Sequence, residues 1–322
     1  VQLATIILAQ LINGITLGGM YALIALGYTL VYGILLMINF AHSELFMSGA
    51  FVGLGVMTLL TSSTVASRVP ALAPAQHFFA GSTFGIVCML LIAFFVSMVV
   101  VGFEGVITER FAYRPLRHAP RLAPLISSVG VSLFLQNAVL LWISAGQVPF
   151  PNPLGQSTLF SIGGVDVSLL KVVIVVTAVV LLIALDTFIS RSRLGKSMRA
   201  TSQDREAAGL MGIDVNMSIT AAFFIGPALG AVAGMFSGMY YGSVVYNMGF
   251  LPGIKAFTAA VLGGIGNLRG AMLGGFVLGI AEALASGFIS TGYKDVIAFA
   301  ILILVLIFRP GGLLGESVVE KV

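Results

Sequence analysis

The sequence predicts an all-α fold, a polytopic transmembrane helical bundle, and three observations predict it. Hydrophobic residues fill 58% of the 322 positions, against about 45–50% in an ordinary soluble domain. Charged residues fill 9%, against about 25%. Glycine contributes 39 residues, a load that suits helices packing backbone to backbone in lipid. With a mean hydropathy of +1.08, a soluble chain would leave large apolar patches in water. Soluble enzymes, disordered chains and nucleic-acid binders are thereby excluded, and lipid is the expected surroundings.

The spans follow in order. Residues 1–41 carry no charged side chain, a stretch long enough for two spans. Further apolar stretches run over 45–61, 84–103, 124–144, 169–189, 217–240, 254–267, 271–289 and 296–308. The stretches 254–267 and 296–308 are short for a full crossing, so tilted, re-entrant or broken helices are expected there. This gives about eight spans and up to ten. No separate soluble domain fits, so residues 1–322 read as one transmembrane domain. No removable signal peptide is expected, because no basic segment and small-residue cleavage pattern frame a short apolar core.

The basic residues orient the bundle. Arg110, Arg114, Arg117 and Arg121 form one cluster, and Arg191, Arg193, Lys196, Arg199 and Arg205 a second. With Arg269, Arg309 and Lys321, they place 12 of the 16 basic residues inside; Arg68, Lys171, Lys255 and Lys294 fall outside. If all ten stretches cross, both termini are cytoplasmic. The outward segments are then 62–83 and 145–168, whose Pro, Ser, Thr and Gly content is that of loops.

Chemistry-bearing patterns are sparse. His42, His77 and His118 are the only histidines and Cys88 the only cysteine. Neither a zinc-ligand set nor a serine hydrolase triad is expected. The stretch SRSRLGKS (190–197) ends like a phosphate-binding loop, but Ser190 replaces its first glycine and a membrane span, not a strand, precedes it. Gly226, Gly230, Gly234, Gly238 and Gly242 recur every four residues and form one smooth helix face. That face packs within the chain or against a partner. Asn39, His42, Glu44 and Glu282 are polar groups in apolar stretches, where burial is costly. They are candidates to line a translocation path; for Glu282 a hydrogen bond to a neighbouring helix is the equal alternative.

The polar stretch of about 190–216 holds GKSMRATSQDREAAGLMGID (195–214). Met198, Ala208, Leu210, Met211 and Ile213 lie among charges at helical spacing, which predicts a short amphipathic helix on the cytoplasmic face. Glu206, Ala207, Ala208 and Gly212 spell E-A-A-x-x-x-G. This motif resembles the coupling loop of bacterial ABC importer permeases. GMYALIALGYTLVYGILLMINFAHSELFMSGAFVG (19–53), ERFAYRPLR (109–117), SLFLQNAV (132–139), FISRSRLGKSMRA (188–200), GIKAFTAAVLGGIGNLRGAMLGG (253–275) and YKDVIAFAILILVLIFRPGGLLG (293–315) are similar, in the same order, to the LivH-like branch of the LivH/LivM branched-chain amino acid permease family. Ser43 stands where that family often has Gly.

The resemblance implies a subunit of an ATP-driven importer in the bacterial inner membrane. It implies a second, LivM-like permease, two cytoplasmic ABC ATPases and a periplasmic amino-acid-binding protein as partners. ATP and Mg would bind in the ATPases, leaving this chain without cofactor, metal or catalytic residue. Glu206, Ala207, Ala208 and Gly212 would meet an ATPase, with Arg199 and Arg205 steering contact. A urea or short-amide permease of the same family, and a stand-alone secondary transporter, are the alternative readings.

Overall fold

One uninterrupted helix, α1 (Gln2–Leu35), takes up most of the charge-free N-terminal stretch. The expected pair of spans is therefore a single helix, about 51 Å long at 1.5 Å per residue. Gly14 and Gly18 of this helix serve packing. A Cβ on Gly14 would lie 2.6 Å from the Cα of Ile280, and one on Gly18 2.7 Å from the Cα of Phe276.

The computed structural model describes residues 2–62, 76, 78–79, 81–117, 119–120, 122–155, 157–309 and 311–314. After α1 come α2 (His42–Thr61) and α3 (Thr83–Thr108), which runs on through a π-helical turn (Glu109–Tyr113) and a 3-10 turn (Arg114–Leu116). α4 (Leu122–Trp142) and α5 (Leu169–Arg191) follow, separated by a small hairpin of β2 (Thr158–Ile162) and β3 (Val165–Ser168). Two short helices, α6 (Arg193–Gln203) and α7 (Arg205–Leu210), lead into α8 (Val215–Tyr241). β4 (Ser243–Val244) pairs antiparallel with β1 (Val148–Pro149). α9 (Phe250–Gly263), α10 (Leu268–Phe288) and α11 (Lys294–Phe308) close the chain.

Eight helices among the described residues are long and apolar enough to cross a membrane, the last counted with its leading 3-10 turn (Thr291–Phe308). α9 is not one of them. Its 14 residues rise about 21 Å, short of a hydrocarbon core of about 30 Å. The expectation of a shortened element near 254–267 holds, with the helix displaced to start at Phe250.

Hydrogen bonds sort the elements by end. At one end, Thr5 Oγ1 donates to Gly163 O, Lys171 Nζ to Asn13 Oδ1, and Phe150 N to Gly242 O. At the other, Arg117 reaches Asn216, Arg205 reaches Ile34 O, and Arg269 pairs with Asp186. The start of α1 thus lies with segment 145–168, opposite the basic loops. That corrects the expected placement of the N-terminal end, and the cause is the missing span in 1–41. Lys255 needs a second correction. Expected outside, it is buried within α9 between α10 and α11. Its two carboxylate partners make that burial tolerable. Arg68, Arg121, Lys321, His77 and His118 lie outside the described residues.

α8 is the most buried of the long helices, and its glycine face accounts for that. Gly226 lies on Gly27 and Val31 of α1, Gly230 beside His42, Gly234 against the Phe46 carbonyl, and Gly238 against the Phe150 ring. Gly242 departs from the stripe, with φ +71° at the helix C-terminus, a left-handed ending that favours glycine. Pro227 has no N–H to give the Phe223 carbonyl four residues back. Gly105 of α3 lies directly on that carbonyl, where a Cβ would approach to 2.1 Å. Gly226, Gly230 and Gly234 are thus engaged by this chain's own α1 and α2, and Gly238 by Phe150.

These contacts set an expectation for stability. A Cβ on Gly234 would sit 2.0 Å from a backbone oxygen, whereas one on Gly130 of α4 meets nothing within 4 Å. Gly234→Ala should destabilise the purified protein by about 1–3 kcal/mol, the usual cost of overpacking, and Gly130→Ala should leave the thermal midpoint in detergent unchanged. Equal midpoints for the two variants would contradict this packing account.

Candidate functional site

α1 ends at the basic end of the bundle, but α2 does not begin there. Segment 36–41 turns back through Leu36, whose φ is +54°. His42 then packs on Gly27, which lies eight residues before the end of α1. α2 therefore starts about 12 Å inside the bundle at 1.5 Å per residue. A second break mirrors the first. After α8, segment 242–249 runs inward until Gly249 and Gly253 rest on Ser43. The starts of α2 and α9 meet there, and neither has a side-chain cap.

The candidate path residues Asn39, His42 and Glu44 all stand at this meeting point and are buried. Asn39 Oδ1 accepts from the Tyr113 hydroxyl at 2.5 Å, which ties the first break to the π-helical turn of α3. His42 lies edge-on to Tyr28, with ring centroids 4.6 Å apart. Glu44 Oε1 accepts from Gln136 Nε2 at 2.8 Å, Ser132 Oγ at 3.2 Å and Ser43 Oγ at 3.3 Å. Beside them lies a cavity of about 430 Å³ between α2, α4 and α9 and against Tyr28 of α1, with Tyr28, Ser43, Ser132 and Gln136 as its polar groups and Leu133 and Phe250 among its apolar walls.

Glu282 is not part of this group. Its Oε1 accepts from Lys255 Nζ at 2.7 Å and its Oε2 from the Tyr21 hydroxyl at 2.9 Å. Lys255 also pairs with Asp295 at 2.5 Å, so one cation holds α9, α10 and α11 together. Removing one partner of such a cluster strands a buried charge. Lys255→Met should therefore cost about 3–5 kcal/mol of stability, and adding Glu282→Gln should restore part of it. A double variant as unstable as the sum of both single changes would show that the pair is not coupled.

At the basic end, the expected single amphipathic helix is two helices. Asp204 accounts for the break: its Oδ1 accepts from Glu206 N at 2.9 Å and Ala207 N at 3.0 Å, capping α7 afresh. Met198 and Ala208 are buried, but Leu210 and Met211 are almost fully exposed. Glu206 and Ala207 are exposed too, and Gly212 turns the chain with φ +78°. Asp214 then caps α8 through Met217 N.

Two basic side chains connect this surface to the bundle. Arg205 Nη2 donates to Ile34 O at 2.9 Å, at the end of α1 where carbonyls lack helical partners. Burial, then the charge of Arg117, pushes the Arg205 guanidinium down from its ordinary value. Arg199 Nη2 donates to Ser190 O and stays on the surface. The Gly-Lys-Ser of 195–197 is the first turn of α6, with Gly195 N bound to Ser192 Oγ at 2.9 Å. That turn follows a helix, so the strand–loop–helix geometry of a phosphate-binding loop is not formed here.

Sequence reasoning missed one cluster. Glu109 is fully buried and takes Arg114 at 2.7 Å, Arg117 closely, and Thr220 Oγ1 at 3.3 Å. Arg117 continues to Asn216 Oδ1 at 2.5 Å. These contacts join the π-helical turn of α3 and the turn after it to the first two turns of α8, directly after the exposed α6–α7 surface. In sequence, Arg114 and Arg117 look only like cytoplasmic-loop charges. The signal available was the acidic Glu109 five and eight residues before them.

Residues 10–306 match the family described as branched-chain amino acid transport system / permease component. The chain is 48% identical over 318 residues to the high-affinity branched-chain amino acid transport system permease protein BraD of Pseudomonas aeruginosa, covering 98% of each chain. It is 44% identical over 322 residues to the corresponding permease protein LivH of Escherichia coli strain K12, covering 98% of this chain and 97% of that one. More distantly, it is 26% identical over 237 residues to the autoinducer 2 import system permease protein LsrC of Yersinia pseudotuberculosis, covering 70% of this chain and 62% of that one. No solved structure gives a significant match. Eight apolar helices and these full-length likenesses make the chain a multi-pass membrane protein, and it belongs to the family of branched-chain amino acid transport system permease components.

Proposed function

We propose that this chain is the translocating permease subunit of an ATP-driven importer, carrying branched-chain or other neutral amino acids across the bacterial inner membrane. The observation that carries the reading is the meeting of two uncapped helix starts inside the bundle, beside a cavity of about 430 Å³. Irregular backbone inside an apolar bundle is tolerated where protein or a water-filled path covers it. Transporter sites are commonly built from such interrupted helices. Asn39, His42 and Glu44 are assigned to the path. Glu282 serves it from behind, as the anion that fixes Lys255 and with it the position of α9.

A second, related permease completes the membrane unit, and a periplasmic binding protein delivers the amino acid. Two cytoplasmic ATPases bind ATP and Mg and perform the hydrolysis. This chain performs no catalysis and holds no cofactor. The ATPases dock on Glu206, Ala207, Ala208 and Gly212, with Arg199 and Arg205 beside them. The exposed Leu210 and Met211 supply an apolar anchor on the same surface. Movement of that surface reaches the path by two routes. Arg205 pulls on the end of α1, where the first break begins. Asn216 and Thr220 pull on the Arg117–Glu109–Arg114 cluster, whose π-helical turn holds Asn39 through Tyr113. Hydrolysis drives net transport only if inward- and outward-facing arrangements are stabilised differently.

Two outcomes are expected in liposomes containing the full complex. L-leucine uptake should require ATP and the ATPase subunits; uptake by this chain alone would contradict the reading. Gly212→Val should lower that uptake about tenfold, since a left-handed backbone costs a branched side chain about 1–2 kcal/mol or more, while the complex still assembles and hydrolyses ATP. Unchanged uptake by the variant would remove Gly212 from the coupling surface.

A further inference from the structure

We infer that the cavity between α2, α4 and α9 is a binding site for a primary ammonium group carrying an aliphatic tail, the amino end of the transported molecule. The inference rests on the amino-acid permease reading and adds to it a site, its polarity and the groups that set it.

The polarity comes from counting hydrogens. A serine hydroxyl has one hydrogen to donate, and a carboxylate has none. Ser132 directs its hydrogen to Glu44 Oε1. Ser43 directs its own to Phe40 O at 2.7 Å or to Glu44 Oε1. Gln136 must turn its NH₂ toward the carboxylate, because its carbonyl would face lone pairs there, and Nε2 lies 2.8 Å from Oε1. Left for the cavity are three acceptors, the oxygens of Ser43 and Ser132 and the Gln136 carbonyl, against two donors, the second Gln136 N–H and the Tyr28 hydroxyl. Acceptors outnumber donors there, so a ligand rich in hydrogen-bond donors satisfies more of them than a carboxylate does.

Charge points the same way. Gln136 and Ser132 direct hydrogens to Oε1 of Glu44, while its Oε2 is buried without a hydrogen-bond partner, beside Gly249. Among the described residues, Glu44 takes part in none of the ion pairs, which involve Glu109, Glu282, Asp295 and Asp186. A buried carboxylate left unpaired in this way favours a cation nearby. The remaining walls select the tail: Phe40, Val129, Leu133, Phe250 and Ile254 are apolar. About 430 Å³ lies in the usual range of roughly 300–1,000 Å³ for small-molecule pockets. Glu44 does not line the cavity itself. It is a positioning residue that orients Ser43, Ser132 and Gln136 and supplies the field they transmit.

The test uses the full complex in lipid nanodiscs, without the binding protein, and a photoactivatable diazirine analogue of L-leucine. Crosslinks mapped by mass spectrometry are expected on α4 and α9. Excess L-leucine and isoamylamine, which keeps the amine and lacks the carboxylate, should suppress them. Isocaproate, which keeps the carboxylate and lacks the amine, should not. Glu44→Gln, nearly the same shape without the charge, should weaken isoamylamine competition about tenfold through loss of the field that Glu44 supplies. The wild-type competition pattern decides even where the variant fails to assemble. Crosslinks confined to other elements, or suppression by isocaproate as strong as by isoamylamine, would overturn the site. ATP-driven leucine uptake by the same complex is scored separately. Uptake with a failed labelling pattern sinks the site alone, and absent uptake sinks the permease reading.

Discussion

An apolar bundle cannot leave backbone groups without partners, and this molecule breaks two helices within one. Much of the remaining structure answers that constraint. At the first break, Leu36 N returns to Tyr32 O, His42 N bonds Asn39 O, and the Ser43 hydroxyl takes the Phe40 carbonyl. Arg205 reaches in to cap Ile34, and Tyr113 fixes Asn39. At the second break, Met248 N bonds Val245 O and Gly253 N bonds Gly249 O. The far end of α9 is closed by another part of the chain: Leu313 and Leu314 donate to Leu262 and Gly263, and Asn267 takes Leu314 O. The first break is covered by side chains from elements distant in sequence, the second rests on Ser43, and the end of α9 is closed by the backbone of Leu313 and Leu314. A shift of those elements is thereby felt at the breaks.

Glycine and charge are the two means by which the bundle achieves this cover. Glycines allow backbones to touch where a side chain would hold them apart. Gly275 and Gly279 lie against Ala22 and Gly18, and Gly263 against Gly270. The resulting rigid blocks pair α1 with α10 and α9 with α10. Charges hold the blocks together where glycine cannot. The Lys255–Glu282–Asp295 cluster secures the short helix α9, and Glu109 with its two arginines secures the start of α8. Scarce charge is thus concentrated at mechanical joints.

Much of the fold was legible in the sequence because burial in lipid leaves a plain signal. Composition alone marks the class, and basic residues at loop positions mark segments that share one end of the bundle. The site was half legible. Asn39, His42 and Glu44 stand out because polar groups in apolar stretches are costly, and they do meet at one place. Ser132 and Gln136 escaped notice, since small or neutral polar residues are common in membrane helices and their partner lies about 90 positions away. The single helix of 2–35 was misread because a long apolar run carries no internal mark of how often it crosses. Lys255 was misplaced because one lysine in a short stretch looks like a loop charge until Glu282 and Asp295 are brought to it by folding. The break at Asp204 was readable in principle as an N-cap before Glu206.

The central claim is that the meeting point of α2 and α9 lies on the translocation path and opens to each side in turn. Its most direct measurement is thiol accessibility of Ser132→Cys in a Cys88→Ser background, in liposomes holding the full complex, with membrane-impermeant reagents applied from either side. The account predicts modification from one side in the resting complex and from the other when ATP is trapped in the partners, with L-leucine slowing both. A cysteine reached equally from both sides in every state, or reached from neither in any, would contradict it.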